Sequence, residues 1–483
     1  MMKHFAAMLA IFLILFPIAG CGSAGDTGNS PDAGPETSPA ASEYTAVPQP
    51  ADETDKNIPA ATDTRGKRAI NFYCPTIEES QIIEMYQELH PDFPYKIAIH
   101  HFGNVDTSYY GALDKAFAAG GEDMLDICMV NSGYVEKYAR GAMARYAAPY
   151  GDLGIDVDTL LKESDIYQYV IDMGTNADGQ LVALSYQGTG GAFIYRRSIA
   201  KDVWGTDDPE MIKDKIGPGW DRFLKAADEL MAAGYAIVSG PDDIWHAVEN
   251  SAELPWVVDG KLVIDPRREA FLDLAKTLHD NGYTNNTTAW LDDDWFNAMR
   301  DAGPKKVFGY FAPAWMVNYT IKTECGGEKP GEGTYGDWAV CEPPAGFFWG
   351  GLWVFVNKYS EYKEELGDLV RWITLDSSET GFQYSLANGA FPGNEWVRDA
   401  VTSGTVMKKV SGVSDFLGGQ DMFDVFDKAA RLASGKNVTQ YDTAINSYWL
   451  AAAREYVEGR KTREQAILDF KKQVKDKLGI AAE

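Results

Sequence analysis

Period-two apolar runs alternate with 3.6-residue spacing through the first part of the folded chain. Ile70-Asn71-Phe72-Tyr73 reads as a strand ended by Pro75. Thr76 and Glu79 form a capping box, and Ile82, Tyr86 and Leu89 follow at helical spacing until His90-Pro91. Tyr95, Ile97 and Ile99 alternate with polar or small residues as in a strand. Tyr110, Leu113 and Phe117 mark a second helix, closed by Gly120-Gly121. Leu125 to Val130 is apolar except at Asp126, the pattern of a strand buried on both faces, and Ser132 caps a helix carrying Val135 and Tyr138. This β-α-β-α-β-α order predicts a doubly wound α/β lobe. Ligands of such sheets meet the loops beyond the carboxyl ends of the strands. Here those are the loops around Cys74–Thr76, His101–Asn104 and Asn131–Tyr134.

From about 190 to 300 the pattern turns helical, with amphipathic stretches at Trp220–Ala233 and Glu269–His279 and with Trp245, Trp256, Trp290 and Trp295 in or near loops. Strand-like runs return at Lys306–Phe311, Trp338–Cys341 and Leu352–Val356. A last helix begins at the Thr462/Gln465 cap and carries Ile467, Phe470, Val474 and Leu478 on one face. Strand character returning this late implies two interleaved lobes rather than two successive beads.

The N-terminus reads as an address. Lys3 precedes a nearly all-apolar run, Phe5–Ala19, too short to span hydrocarbon comfortably, so residues 1–20 are expected to be a signal peptide. Ile18-Ala19-Gly20-Cys21 resembles the bacterial lipobox, which implies cleavage before Cys21 and lipidation of its thiol. Acyl methylenes contribute about 0.8 kcal/mol each on burial, and two chains suffice for stable anchoring. Residues 21–66 are dominated by Gly, Ser, Ala, Thr, Pro and acids, with Tyr44 as the only aromatic, a composition that cannot bury enough apolar surface to order itself. They form a tether. The body is therefore expected outside the cytoplasm, touching the membrane through its lipid anchor alone.

The chain's 483 residues carry 44 basic and 71 acidic side chains, net −27. That charge repels phosphate backbones and argues against a nucleic-acid partner. A single, N-terminal apolar segment excludes a polytopic transporter. There are six His, with no H-E-x-x-H, no G-x-S-x-G elbow and no phosphate-binding P-loop. Gly188-Thr189-Gly190-Gly191 precedes a strand-like run instead of a helix and reads as a hinge or tight turn. Asp292-Asp293-Asp294 lacks the spacing of a calcium loop and reads as a solvated acidic turn. No enzyme activity, cofactor or metal is expected, although a spatially paired set of carboxylates for glycan hydrolysis has no sequence signature that would reveal it.

Cys325 and Cys341 bracket a Gly-rich loop. An oxidising compartment would let them pair as a disulfide; two free thiols or a metal site are the other accounts, and no His lies near them in sequence to complete a zinc set. Cys74 and Cys128 end predicted strands and read as small buried hydrophobes.

Of the aromatics, 12% of the chain, several fall beside Gly or Pro rather than at helical core spacing. Trp315 follows Phe311-Ala312-Pro313-Ala314, Trp349 lies in Phe347-Phe348-Trp349-Gly350-Gly351, Trp245 follows Pro241-Asp242-Asp243, and Trp449 sits near the start of a late helix. For each Trp taken singly, core packing is the competing account. A Trp stacked on the C–H face of a sugar hides roughly 50 Å², worth about 1 kcal/mol, and neighbouring amides and hydroxyls would bond the sugar's hydroxyls.

Four segments together carry a resemblance: Asp126-Ile127-Cys128-Met129-Val130-Asn131-Ser132-Gly133-Tyr134, Gly190-Gly191-Ala192-Phe193-Ile194-Tyr195-Arg196-Arg197, Gly309-Tyr310-Phe311-Ala312-Pro313-Ala314-Trp315, and Phe348-Trp349-Gly350-Gly351. In this order, after a lipobox and acidic arm, they resemble the family 1 extracellular solute-binding proteins, the maltodextrin-type receptors of ABC importers, over roughly residues 67 to 480. The resemblance implies an α/β, two-lobed periplasmic-binding-protein-like fold of type II. Each lobe would be a doubly wound sheet with flanking helices, hinge strands would cross near Gly188–Gly191, and one ligand would sit in the cleft. It places lobe 1 at 67–187 plus about 308–365, lobe 2 at about 188–307 plus 366–460, and a C-terminal helix at 461–483. It implies a monomer that captures a carbohydrate, most readily an oligosaccharide, and delivers it to ABC permease subunits. By similarity, Asn131, Ser132, Gln187, Trp245, Trp315, Trp349 and Trp449 would face the ligand. Where relatives often carry Asp, this chain has Gly133. The alternatives are a polyamine or peptide ligand held by the same aromatics through cation–π attraction, and an exported polysaccharide-processing enzyme.

Overall fold

The protein is described here from a computed structural model, over residues 68–103, 107–390 and 398–482. The lipobox, Cys21 and the acidic arm lie outside the described residues. Among the described residues are eight strands of three residues or more: β1 (Ile70–Cys74), β2 (Ile97–His101), β3 (Ile127–Asn131), β4 (Ala183–Ser185), β5 (Gly191–Arg196), β6 (Gly309–Pro313), β7 (Trp338–Cys341) and β8 (Leu352–Val356).

The first sheet has the order β2-β1-β3-β8-β4. β1 runs parallel to β2 and β3, while β8 lies antiparallel to both β3 and β4. Helix α1 (Ile77–Leu89) connects β1 to β2, and the predicted capping box forms, with the Glu79 carboxylate accepting from Thr76 N and Oγ1, each at 2.8 Å. Helix α2 (Thr107–Ala118) leads to β3, and helix α3 (Ser132–Ala139) starts directly at its end. Asp126, the one acid in the apolar run, is fully buried and paired with Arg68 at 2.6 Å, with Ser360 Oγ donating to it at 2.7 Å. A buried carboxylate needs such partners.

The second sheet is β6-β5-β7, antiparallel throughout. Its side chains alternate between two hydrophobic cores, as the period of a strand requires. Ala192, Ile194, Tyr310, Ala312, Trp338 and Val340 belong to the core shared with the first sheet. Phe193, Tyr195, Phe311, Ala339 and Cys341 face the other core, which helices α4 (Asp442–Val457) and α5 (Arg463–Leu478) close from outside.

Two boundaries differ from expectation. The runs at 309–313 and 338–341, assigned to the first lobe, pair with β5 in the second sheet, and only β8 returns to the first. Residues 366–433, assigned to the second lobe, bury Leu366, Leu369, Val406, Phe416 and Phe426 in the first core. The local pattern reports that a segment is a strand or an amphipathic helix; which sheet it joins is decided by non-local pairing.

The expected disulfide is absent. Cys325 and Cys341 are both free. Cys341 stands opposite Phe193 and points into the second core, whereas Cys325 follows a helical segment packed into the first. The three-stranded sheet separates the thiols. Cys74 and Cys128 are buried free thiols, as read from sequence.

Candidate functional site

The chain passes between the sheets at Gln187–Gly190 and returns at Phe348–Gly351, and these two crossings pair with each other. Gly190 and Phe348 form an antiparallel bridge, Gly191 N donates to Phe347 O at 2.8 Å, and Trp349 N donates to Thr189 O at 3.0 Å. A third segment joins them, with Gly188 N donating to Ala400 O at 2.9 Å. The crossing is too tight for side chains: a Cβ at Gly190 would lie 2.4 Å from Ala430 Cα. Tyr169 pins it, its hydroxyl accepting from Thr189 N at 2.9 Å while its ring stacks on Phe348 at 5.1 Å.

Beside this hinge the carboxyl end of β3 meets the return segment, Ser132 N donating to Gly351 O at 3.0 Å. Asn131 caps α3 with its Oδ1, accepting from Gly133 N at 3.2 Å. Its Nδ2 has no hydrogen-bond partner among the described residues. Gln187, half-buried, bridges to Val401 through its backbone and also leaves its side-chain amide unbonded there. The lobes touch a few residues further on, where Thr443 Oγ1 of α4 donates to Gly133 O at 2.8 Å. A Cβ at Gly133 would stand 2.7 Å from that hydroxyl oxygen, which accounts for glycine at this position.

The same return segment carries part of a cluster of indoles. Trp315 and Trp349 are half-buried, their rings 6.1 Å apart and steeply inclined, and Trp315 Nε1 donates to Trp349 O at 3.1 Å. Trp290 joins them, 5.9 Å from Trp315 and 5.8 Å from Trp349. Its backbone is left-handed, φ 64°, and its indole nitrogen is buried with no hydrogen-bond partner. A bulky residue held at positive φ with an unspent donor is a strained arrangement of the kind that collects at ligand sites. His246 packs 4.2 Å from Trp349, and burial pushes its imidazole down to about 4, so the ring is neutral near pH 7. Behind the cluster Trp295 is fully buried and donates through Nε1 to Asp243 Oδ1 at 2.7 Å.

The geometry thus gathers Asn131, Ser132, Gln187, Trp315 and Trp349 around the hinge. It does not gather Trp245 and Trp449. Trp245 is 3% exposed and packs against Phe271; Trp449 is 0% exposed and wedged between Trp256 and Phe470 at 5.7 and 4.9 Å. Both are core residues of the second lobe. Trp290 and His246 were missed, although Trp290 carries the same signal as the others, an aromatic at the end of a polar loop (Asn285-Asn286-Thr287-Thr288-Ala289).

Among the described residues no helix is long and apolar enough to cross a membrane, and no group of three or more His, Cys, Asp and Glu is placed to hold a metal ion. The family model of the bacterial extracellular solute-binding proteins matches residues 77–380. The chain belongs to that family. This solute-binding protein also superposes on solved structures at low sequence identity, which shows the shared two-lobed fold. One is a family 1 extracellular solute-binding protein, with TM-score 0.68, 19% identity, and 83% of this chain covered against 97% of the other. Another is the galacto-N-biose-/lacto-N-biose I-binding protein of the ABC transporter from Bifidobacterium longum, with TM-score 0.62, 16% identity and coverages of 86% and 98%. A third is the sugar-binding protein MalE from Xanthomonas citri, with TM-score 0.63, 14% identity and coverages of 85% and 97%. No curated protein matches the sequence.

Proposed function

We propose that this solute-binding protein is a lipid-anchored carbohydrate receptor that captures an oligosaccharide beside the hinge and hands it to an ABC permease. The observation that carries the reading is the half-buried Trp290–Trp315–Trp349 wall set against the unspent amides of Asn131 and Gln187. Sugar rings offer both surfaces such a wall needs. Their C–H faces lie on indoles, each stacked Trp contributing about 1 kcal/mol, while their hydroxyls bond to amides. Solved relatives of the same fold are a galacto-N-biose-/lacto-N-biose I-binding protein and a protein named as sugar-binding. Contacts made only when both lobes enclose the sugar would favour the closed form, which the permease would recognise.

Calorimetric titration of the purified protein with a panel of oligosaccharides tests the reading. Micromolar binding of one glycan class, near −8 kcal/mol, is expected, and no binding across the panel would overturn it. The anchor has a separate test: Cys21→Ser should release the protein from membranes, and continued membrane association would remove the lipoprotein reading.

A further inference from the structure

Beyond Trp315 the same helical segment widens into a π-turn at Val317–Ile321, a distortion frequent at functional sites. Tyr319, one turn past Trp315, is 45% exposed there, and Ile77 at the start of α1 is 63% exposed. Between these elements lies a cluster of acids. Glu78 follows Ile77; Asp399 is 5% exposed and is tied in by the backbone of Arg398, whose carbonyl accepts from Asn318 Nδ2 at 3.1 Å. The Asp399 carboxylate accepts from the adjacent Ala400 N at 2.8 Å, and the side chain of Glu78 has no hydrogen bond or ion pair among the described residues. Tyr186, at the entry to the hinge, is 0% exposed and its hydroxyl is buried with no partner. Its backbone carbonyl accepts from Thr402 N at 3.1 Å, three residues beyond Asp399.

Among the described residues the groups that act on this cluster are acidic or neutral: Glu79 on α1, spent on the Thr76 cap, the phenols of Tyr186 and Tyr319, and the buried Cys74 thiol. Of the cations nearby in sequence, Arg398 donates to Ser411 O at 2.8 Å and Lys322 lies over the Tyr335 ring at 5.9 Å. Burial, followed by the neighbouring carboxylates, raises Glu78 to about 8, and burial raises Asp399 to about 7. Two acids and an unpartnered hydroxyl are thus held together, and among the described residues no cationic side chain bonds to either acid, so their ionised forms are costly unless a ligand supplies a positive charge.

We propose that Glu78, Asp399 and the Tyr186 hydroxyl form a subsite for a protonated amine, so that the sugar captured by this protein carries an amino group on one unit. The sugar body rests on the receptor reading above; the amine subsite does not. The ammonium donates to the two carboxylates and to the Tyr186 oxygen, and Tyr319 lies at the mouth as a face for the ring or the cation. Without ligand the acids hold protons near neutral pH. A bound ammonium favours their ionised forms, so binding releases protons and amine affinity falls as pH drops below about 7.

The test titrates the whole protein with glucosamine and its β-1,4-linked disaccharide, with glucose, cellobiose and the N-acetylated counterparts as neutral isosteres, and with putrescine as a sugar-free amine. The amino sugars are expected to bind at least tenfold more tightly than the isosteres, with heats that depend on the ionisation enthalpy of the buffer. Asp399→Asn and Glu78→Gln should erase the preference. Tyr186→Phe removes one buried oxygen without disturbing the fold and should weaken amine binding severalfold, while leaving the neutral sugars unchanged. Neutral sugars binding as tightly as amino sugars would overturn the subsite and leave the carbohydrate reading standing. Putrescine binding with every sugar silent would support the subsite and remove the carbohydrate reading. No binding by any amine at millimolar concentration overturns the proposal.

Discussion

The indole nitrogen of Trp315 donates to the backbone carbonyl of Trp349 across 3.1 Å. One bond therefore joins the helical segment after β6 to the segment on which the chain returns through the hinge. It fixes the mutual tilt of two rings that neither lobe could orient alone, because Trp349 follows a residue paired to Gly190 while Trp315 stands on the strand-to-helix turn of the second lobe.

Two substitutions separate platform from bracket. Trp315→Ala should weaken sugar binding by about 1 kcal/mol or more, roughly fivefold, for lost stacking area. Trp315→Phe keeps an aromatic face and loses the donor, so it should retain part of the affinity while loosening Trp349. Calorimetry on both, beside a thermal melt, checks the assignment. Trp315→Ala that unfolds the protein without a folded, weak-binding state would make Trp315 a core residue.

Trp449 should behave in the opposite way. It is fully buried against Trp256 and Phe470, and replacing so large a core side chain by Ala costs about 3–5 kcal/mol. Trp449→Ala should lower the unfolding free energy from denaturant melts by that amount, and the folded fraction should bind ligand with unchanged affinity. A loss of affinity at full stability would return Trp449 to the ligand site.

That pair shows where the sequence was readable. Ile445, Trp449, Ala453 and Val457 recur every four residues, the stripe of a helix facing a core, and all four are buried. The stripe is legible in the sequence and points to the core, whereas the family resemblance alone points Trp449 at the ligand. Trp315 and Trp349 stand beside proline and glycine, off any such stripe, and they reach the hinge. The first β-α-β-α-β order and the Thr76 capping box needed only local signals. The destination of β6, β7 and β8 did not, since each reads as an apolar run and only pairing partners distributed over the whole chain decide which sheet it enters. Trp290 ends a polar loop, which the sequence does show, but its left-handed backbone lies in geometry that composition does not reveal.

The thiols supply a test of the sheet assignment. With Cys325 and Cys341 in cores on opposite faces of the second sheet, unreduced protein denatured before alkylation should be modified at Cys74, Cys128, Cys325 and Cys341. In the native state all four are buried, and burial raises each thiol, so modification should be slow at neutral pH. A peptide linking Cys325 to Cys341 in the mass spectrum would overturn the placement of both.

The Asp243–Trp295 bond behind the indole wall predicts how stability varies with pH. Burial is the main cause that raises Asp243, to about 7, and the charge of Asp242 adds to it, although Gly240 N and Trp295 Nε1 donate to its carboxylate at 2.8 and 2.7 Å. In the unfolded chain the same group titrates near its ordinary value of about 4. Between those values the native state holds a proton that the unfolded state has lost, so this group's contribution to stability falls as pH rises from about 4 to about 7. The slope reaches at most about 1.4 kcal/mol per pH unit for one proton. Asp243→Asn abolishes that titration. It also leaves one of the two N–H donors facing an amide NH2, at a cost of about 1–3 kcal/mol, so the decisive quantity is the slope and not the absolute stability. Denaturant melts from pH 4.5 to 7.5 should show a shallower decline for the variant than for the parent. Trp295 emission should titrate near neutrality in the parent alone. Parallel slopes in the two proteins would place the Asp243 carboxyl back at its ordinary value, with its two hydrogen bonds outweighing burial.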